Sequence, residues 1–209
     1  MSTKQDLVQL LEGRQLLIFD FDGTVADTSP LHAAAFKETL APLGVSVDYP
    51  SIAGRRTLDA MRYCLAESGM KVDATALDAL VMEKQRRVRK LIGEGLAPLR
   101  GVDEFLRWAR PRYQLSMVTS GSRATVTLAL ARLGYNTWFE PLICADDLRR
   151  AKPDPEGFLK LLEVTGIHPE GALVFEDSAA GFSAARQAGL EFVDVNGEIW
   201  HSYLSQIGI

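Results

Sequence analysis

Residues 16–24 read LLIFDFDGT, an apolar run that ends in two carboxylates, a glycine and a threonine. Four consecutive apolar residues followed closely by a glycine are typical of a buried strand of a parallel sheet that ends in a loop. Ligand sites in such sheets lie just beyond the carboxyl ends of the strands. Asp20 and Asp22 would repel each other there unless a cation neutralised them. The pattern therefore predicts a magnesium site with a carboxylate nucleophile beside it.

Further strand-like runs follow along the chain, and helical patterns separate them. The predicted strands after the first are residues 115–119, 141–145, 171–175 and 192–195. The predicted helices between them are residues 102–110, 122–133, 155–165 and 178–188. This alternation predicts right-handed β-α-β units, and so an α/β fold with a doubly wound, Rossmann-like parallel sheet.

One long interval, residues 28–98, lacks a strand-like run. It holds helical patterns at 30–41, 57–68 and 74–92. We expect an all-helical cap domain of the four-helix type over 28–98, inserted into a core formed by 1–27 and 99–209. A cap above the first strand would exclude water and supply substrate contacts.

Composition and charge favour a small anionic ligand over nucleic acid. The chain is 47% hydrophobic with a net charge of −4, ordinary values for a globular protein and the wrong sign for a nucleic-acid partner. Residues 55–100 hold ten basic and six acidic side chains, a net +4, so the remainder carries −8. A basic cap facing an acidic body would suit an anionic substrate, although a solvated basic helix face explains the same charge.

Cysteine usage and hydropathy indicate the compartment. Cys64 and Cys144 lie among apolar neighbours without metal-ligand spacing, so we expect buried free thiols in a reducing environment. The N-terminal residues 1–15 have no apolar signal segment, and no stretch approaches a membrane span of about 20 apolar residues. These features predict a cytoplasmic protein with no membrane partner, and a monomer is compatible with them.

Polar residues follow four of the predicted strands, where parallel strands would bring them into one crevice. They are Asp20 and Asp22, then Thr119, Ser120 and Gly121, then Lys152, and finally Glu176 and Asp177. Each group suits phosphoryl transfer. An aspartate can attack phosphorus and a second carboxylate can move protons. A hydroxyl, backbone N–H groups and a lysine can hold the phosphate oxygens, and the remaining carboxylates can bind Mg²⁺.

The order of these groups resembles the haloacid dehalogenase (HAD) superfamily of phosphatases along nearly the whole chain. The stretch at 16–24 matches the hhhDxDGT signature, which implies that Asp20 is the nucleophile and Asp22 the general acid/base. Thr119 matches the phosphate-binding hydroxyl, and Lys152 matches the lysine of a K-P-D-P form. The inserted cap resembles the helical-cap branch that contains phosphoglycolate phosphatases, β-phosphoglucomutases and small sugar phosphatases.

The resemblance also implies a metal and a substrate site. Mg²⁺ would be held by Asp20, Asp177 and the backbone carbonyl of Asp22, with Glu176 acting directly or through water. Ser120 and Gly121 would contact the phosphate, and the substrate would be a small phosphorylated metabolite such as a phosphosugar, glycerol phosphate or phosphoglycolate.

Four cap residues are candidate substrate contacts, each with a plainer alternative. Arg55 and Arg56 match a cap loop that often carries a basic residue, or are solvated residues at a helix start. Lys84 is the one charge in an apolar helical stripe, and either enters the cleft or lies at the edge of the stripe with its ammonium in water. His32 has the spacing of the cap-hinge histidine of β-phosphoglucomutases, or is an exposed polar residue.

Three other activities compete with phosphatase activity. A phosphosugar mutase would use the same residues. A dehalogenase or phosphonatase of the superfamily lacks the second aspartate of the first signature, whereas Asp22 is present here. A catalytically idle binding module on this fold would show no metal-dependent phosphate release.

Overall fold

A parallel sheet forms the centre of the computed structural model, which describes residues 6–197 and 199–209. Its strands are β1 (Leu16–Phe19), β2 (Gln114–Val118), β3 (Leu142–Ile143), β4 (Ala172–Glu176) and β5 (Glu191–Asp194). Their order in the sheet is β3-β2-β1-β4-β5, and every neighbouring pair is parallel. The predicted α/β fold class is confirmed, and the five strands fall within about a residue of the predicted runs except β3, which is two residues long.

Helices connect the strands and cover the sheet. Those of the sheet region are α1 (Leu7–Leu11), α5 (Val102–Ala109), α6 (Arg123–Leu133), α7 (Glu156–Thr165), α8 (Ala179–Gln187) and α9 (Ile199–Gln206). The inserted segment between β1 and α5 contains three further helices, α2 (Ser29–Leu40), α3 (Thr57–Glu67) and α4 (Ala74–Glu94). The short terminal helices α1 and α9 were absent from the sequence prediction.

The central strand β1 is buried on both sides, as its unbroken apolar sequence requires. Leu17 and Phe19 face a core shared with α5, α6 and α9. Leu16 and Ile18 face the opposite core, which includes residues of α7 and α8. Because all four side chains are fully buried, the strand is held in one register and its end is fixed in space.

The register of the sheet places three strand ends side by side. Phe19 is paired with Met117 of β2 on one side and with Phe175 of β4 on the other. The next residues along these strands therefore emerge at the same edge of the sheet, which is its carboxyl edge. This alignment brings together the polar residues that follow β1, β2 and β4.

The inserted segment has its own hydrophobic core and also contacts the sheet region. Phe36, Leu40, Met61 and Leu65 are buried in a cluster separate from the two cores of the sheet. Helix α4 packs against α2 and α3 and also against α6. Residues 28–98, all of which the structure describes, contain three α-helices and two short 3-10 helices and no strand, so the count is one α-helix fewer than the expected four.

Two further expectations can be compared with the structure. Cys64 and Cys144 are buried and free, as predicted. Among the residues that the structure describes, no helix combines the length and apolarity needed to cross a bilayer.

Candidate active site

The ammonium group of Lys152 is the centre of the site. Its Nζ donates to Asp20 Oδ1 at 2.7 Å, to Glu176 Oε2 at 2.7 Å and to the carbonyl of Val118 at 2.9 Å. Asp20 is 8% exposed and Glu176 is fully buried. Burial alone opposes the charge of Lys152, but the charges of Asp20 and Glu176 outweigh burial and raise its pKa. One buried cation therefore ties the ends of β1, β2 and β4 together.

Both carboxylate oxygens of Glu176 already have partners. Oε2 accepts from Lys152, and Oε1 accepts from the backbone N–H of Asp177 at 3.0 Å, from the N–H of Ser178 at 3.0 Å and from the Ser178 hydroxyl at 2.9 Å. Burial raises the pKa of Glu176, but the Lys152 charge and these donors lower it overall. Glu176 is thus an ionised anchor for Lys152, which favours an indirect contact with a metal over a direct one.

Glycines at two positions let backbone approach the carboxylates. Gly181, in the first turn of α8, lies so close to Glu176 that a Cβ atom there would be 2.0 Å from its Cδ. Gly23 has φ +84°, and a Cβ atom there would lie 2.2 Å from Asp177 Oδ2. Any side chain at either position would displace a site carboxylate, and at Gly23 it would also strain the backbone.

Three carboxylates form a cluster that fits a divalent cation. Asp20, Glu176 and Asp177 each offer an oxygen within 4.8 Å of the others. Burial raises the pKa of Asp20, as do the neighbouring negative charges, while Lys152 opposes the rise. Burial and the charge of Glu176 raise the pKa of Asp177 to about 7. A cation would relieve this repulsion, and hard oxygen ligands are what Mg²⁺ prefers.

Asp22 lies outside that cluster, although its side chain also belongs to the site. Its Oδ1 accepts a hydrogen bond from the Thr28 hydroxyl and lies 3.6 Å from His32 Nε2. If Asp22 binds the metal as predicted, its ligand would therefore be the backbone carbonyl and not the carboxylate.

The loop after β2 brings a buried hydroxyl to the site. Thr119 is 1% exposed, and its Oγ1 accepts from the N–H of Gly121 at 3.0 Å. A Cβ atom at Gly121 would be 3.7 Å from Asp22 Oδ2, so the loop reaches the second carboxylate of the first motif. Ser120 lines the cavity in front of these groups. Thr119, Ser120 and Gly121 are thus brought to Asp22, as the strand-end placement predicted.

Lys84 enters the cleft and does not lie at the edge of its helix. It is 1% exposed, and its Nζ lies 2.9 Å from His32 Nδ1, 3.5 Å from Thr57 Oγ1 and 4.5 Å from the centre of the Phe36 ring. The alternative of an ammonium in water is wrong. The reason is that the apolar stripe of α4 meets the cleft at this turn, where His32 and Thr57 provide polar partners for the ammonium group.

Lys84, His32 and Asp22 form a polar row. Burial, and also the Lys84 charge, lowers the pKa of His32 to about 4, although Asp22 opposes this. Burial likewise lowers the pKa of Lys84 to about 8. A neutral His32 that accepts from Lys84 at Nδ1 carries its proton on Nε2, the atom that faces Asp22.

The two cap arginines occupy different positions. Arg55 is exposed, lies 4.7 Å above the Tyr63 ring and lines the cavity. Arg56 donates to the carbonyls of Leu148 at 3.2 Å and Arg149 at 3.3 Å, so it joins the inserted segment to the loop before Lys152. Arg55 is therefore freer than Arg56 to meet a ligand.

An open cavity of about 980 Å³ lies between the inserted segment and the strand ends. Asp20, Asp22 and Asp177 line one side of it, and Arg55 lines the other. Its size suits a small phosphorylated metabolite. Tyr49 also lines the cavity, and sequence reasoning missed it because it lies in a single turn of 3-10 helix that carries neither a periodicity nor a motif.

Comparison with known proteins agrees with this geometry. The family model described as haloacid dehalogenase-like hydrolase matches residues 17–195. The chain is 34% identical to the fructose-1-phosphate phosphatase YqaB of Escherichia coli strain K12, over 86% of this chain and 95% of that protein. It is 31% identical to the phosphorylated carbohydrates phosphatase of Thermotoga maritima, over 85% of this chain and 82% of that protein.

Solved structures share the fold. CbbY from Rhodobacter sphaeroides, determined in complex with phosphate, superposes with a TM-score of 0.80 at 26% identity and covers 88% of this chain and 87% of its own. The β-phosphoglucomutase of Clostridium difficile superposes with a TM-score of 0.81 at 22% identity, covering 91% of this chain and 88% of its own. At that identity the second likeness concerns the fold alone.

We predict that Gly181→Ala lowers both stability and activity. Alanine normally stabilises a helix by about 1 kcal/mol relative to glycine. Here its Cβ would displace Glu176 and so loosen Lys152. Urea unfolding should show a loss of about 1–3 kcal/mol, the usual cost of overpacking. The matched control is Gly93→Ala in α4, where a Cβ atom meets nothing within 4 Å. A neutral or stabilised Gly181→Ala variant would contradict the close contact.

Proposed function

The chain belongs to the haloacid dehalogenase-like hydrolases, and from that premise we propose that it is a Mg²⁺-dependent sugar phosphatase that works through an aspartyl-phosphate intermediate. It is a phosphoric monoester hydrolase by family and by its phosphatase relatives. The observation that carries the finer proposal is the Lys152 ammonium held between two buried carboxylates, 2.7 Å from each.

Asp20 is the group best placed to attack phosphorus. Lys152 engages Oδ1 of its carboxylate and fixes the orientation of the side chain. The other oxygen is free of hydrogen bonds to the residues that the structure describes. Attack by this oxygen forms an acyl phosphate on Asp20 as the bond from phosphorus to the leaving alkoxide breaks.

Asp22 suits the proton transfers. Its carboxyl would protonate the leaving oxygen in the first step and take a proton from water in the second, when that water attacks the phosphorus of the acyl phosphate. Hydrogen bonding by Thr28 and the nearby His32 Nε2 hold the Asp22 side chain away from the cation cluster. Two aspartates two residues apart thereby take different roles.

The phosphate oxygens would be bound by groups that do not react. Lys152 offers a positive charge, Thr119 a buried hydroxyl and Ser120 a backbone N–H group at the open end of β2, while the Gly121 N–H holds the Thr119 oxygen in place. Preorganised donors of this kind stabilise charge that develops in the transition state. Asp20 and Asp177 would hold Mg²⁺, which would act as a Lewis acid and neutralise further charge on the phosphate.

The substrate we propose is a sugar phosphate with its ester on a primary carbon. Two phosphatase relatives carry fructose 1-phosphate or phosphorylated carbohydrates in their names. In this chain Arg55, Lys84 and His32 line the space beyond Asp22, and their N–H groups can donate hydrogen bonds to the hydroxyls of a sugar. Phosphosugar mutase activity is the second candidate, favoured by His32 lying 3.6 Å from Asp22.

Product analysis with and without metal tests the activity. With Mg²⁺, the protein should convert fructose 1-phosphate to fructose and inorganic phosphate. Excess EDTA should abolish the release, and added Mg²⁺ should restore it. A mutase would instead yield an isomeric sugar phosphate, which is measured by phosphorus NMR on the same samples with a hexose 1-phosphate. Metal-independent release would contradict the role of the cation.

Asp20→Asn should lose more than about 10³-fold in turnover, since an amide oxygen is a poor nucleophile and cannot form the acyl phosphate. Circular dichroism should show that the variant remains folded, because asparagine has the same shape as aspartate and Lys152 retains its hydrogen bond to Glu176. Asp20→Ala guards against deamidation back to aspartate. The matched control is Asp78→Asn on the exposed face of α4, which should retain full activity. Turnover by both Asp20 variants would end the assignment.

A further inference from the structure

Tyr49 is anchored in the wall of the cleft. It begins the 3-10 helix Tyr49–Ser51 between α2 and α3. Its ring centre lies 6.5 Å from that of Phe36, and the Lys84 ammonium lies 4.5 Å from the same Phe36 ring centre. The half-buried ring is therefore held by the core of the inserted segment.

The side chain of Tyr49 borders two connected spaces. One is the recess lined by Asp22, His32 and Lys84. The other is the open cavity that also contains Asp20. A side chain common to both lies at their boundary, beside a leaving group that extends from phosphorus at Asp20 toward the recess. Asp22 also lines both spaces. Tyr49 and the proposed proton donor therefore lie beside the same part of a ligand.

The phenol of Tyr49 is suited to donate a hydrogen bond there. Burial and the charges of Asp22 and Asp177 raise its pKa, so the group keeps its proton throughout the neutral range. A protonated phenol that lines the cavity can donate its proton in a hydrogen bond to a ligand.

We propose that the Tyr49 hydroxyl donates a hydrogen bond to a hydroxyl of the leaving group beside the scissile ester, and so selects sugar and polyol phosphates over esters whose leaving group lacks such a hydroxyl. The inference rests on the proposed function and adds to it a residue that determines specificity for the leaving group. A site built to pair with a substrate hydroxyl discriminates against analogues without it, because its own polar group is then left unpaired.

The test compares Tyr49→Phe with the unaltered protein on two esters. Phenylalanine keeps the ring contact with Phe36 and removes only the hydroxyl. For fructose 1-phosphate, kcat/KM should fall about tenfold, the scale of one hydrogen bond made to the substrate. For p-nitrophenyl phosphate, whose leaving group has no hydroxyl beside the ester, kcat/KM should change less than about twofold on the same reasoning. The matched control is Tyr113→Phe, which removes a phenol hydroxyl on another face beside Trp108 and Ile207.

Each outcome decides the inference. A selective loss on the sugar phosphate supports it. Unchanged kinetics on both esters overturn it and leave the proposed function standing. An equal loss on both esters also overturns it, since the hydroxyl would then serve the phosphate or the fold. Absence of phosphate release from either ester by the unaltered protein refutes the proposed function itself, and this inference with it.

Discussion

A single buried ammonium organises this protein. Lys152 bonds to Asp20, to Glu176 and to the carbonyl of Val118, and these three groups end three adjacent strands. Without it, two carboxylates would face each other in a buried space, where desolvation and repulsion favour protonation. With it, one carboxylate is anchored and the other presents an oxygen to the cavity. The fold supplies this arrangement because parallel strands in register end at one edge.

The strand-end residues could be predicted from sequence because each follows a run that could only be a buried strand. The positions of Asp20, Thr119 and Glu176 follow from the sheet alone. Their catalytic roles remain predictions, as do the domain boundaries, the monomeric state and the cytoplasmic location. Lys84 allowed two interpretations because a helical stripe does not reveal what faces it. Tyr49 could not be found at all, since a 3-10 helix of three residues has no sequence pattern and the ring is positioned by its tertiary contact with Phe36. The helix α1 escaped for a related reason, because a helix of five residues depends on packing more than on propensity.

The inserted segment contributes to the site through contacts that cross the cleft. Arg56 bonds to two carbonyls in the loop that leads to Lys152. Lys84 reaches Asp22 through His32. The proposed chemistry at the phosphate thus belongs to the sheet, and the proposed choice of leaving group belongs to the insertion. Such a division would let one catalytic arrangement serve different esters when the inserted residues change.

Chemical trapping of the intermediate tests the central claim most directly. Borohydride reduces an aspartyl phosphate to homoserine, so enzyme quenched during turnover and then reduced can be digested and sequenced by mass spectrometry. Our account predicts homoserine at position 20, only when both substrate and Mg²⁺ were present. Homoserine at another aspartate would move the nucleophile to that residue, and unmodified Asp20 in samples that turn over at full rate and accumulate a phosphorylated enzyme would contradict the account.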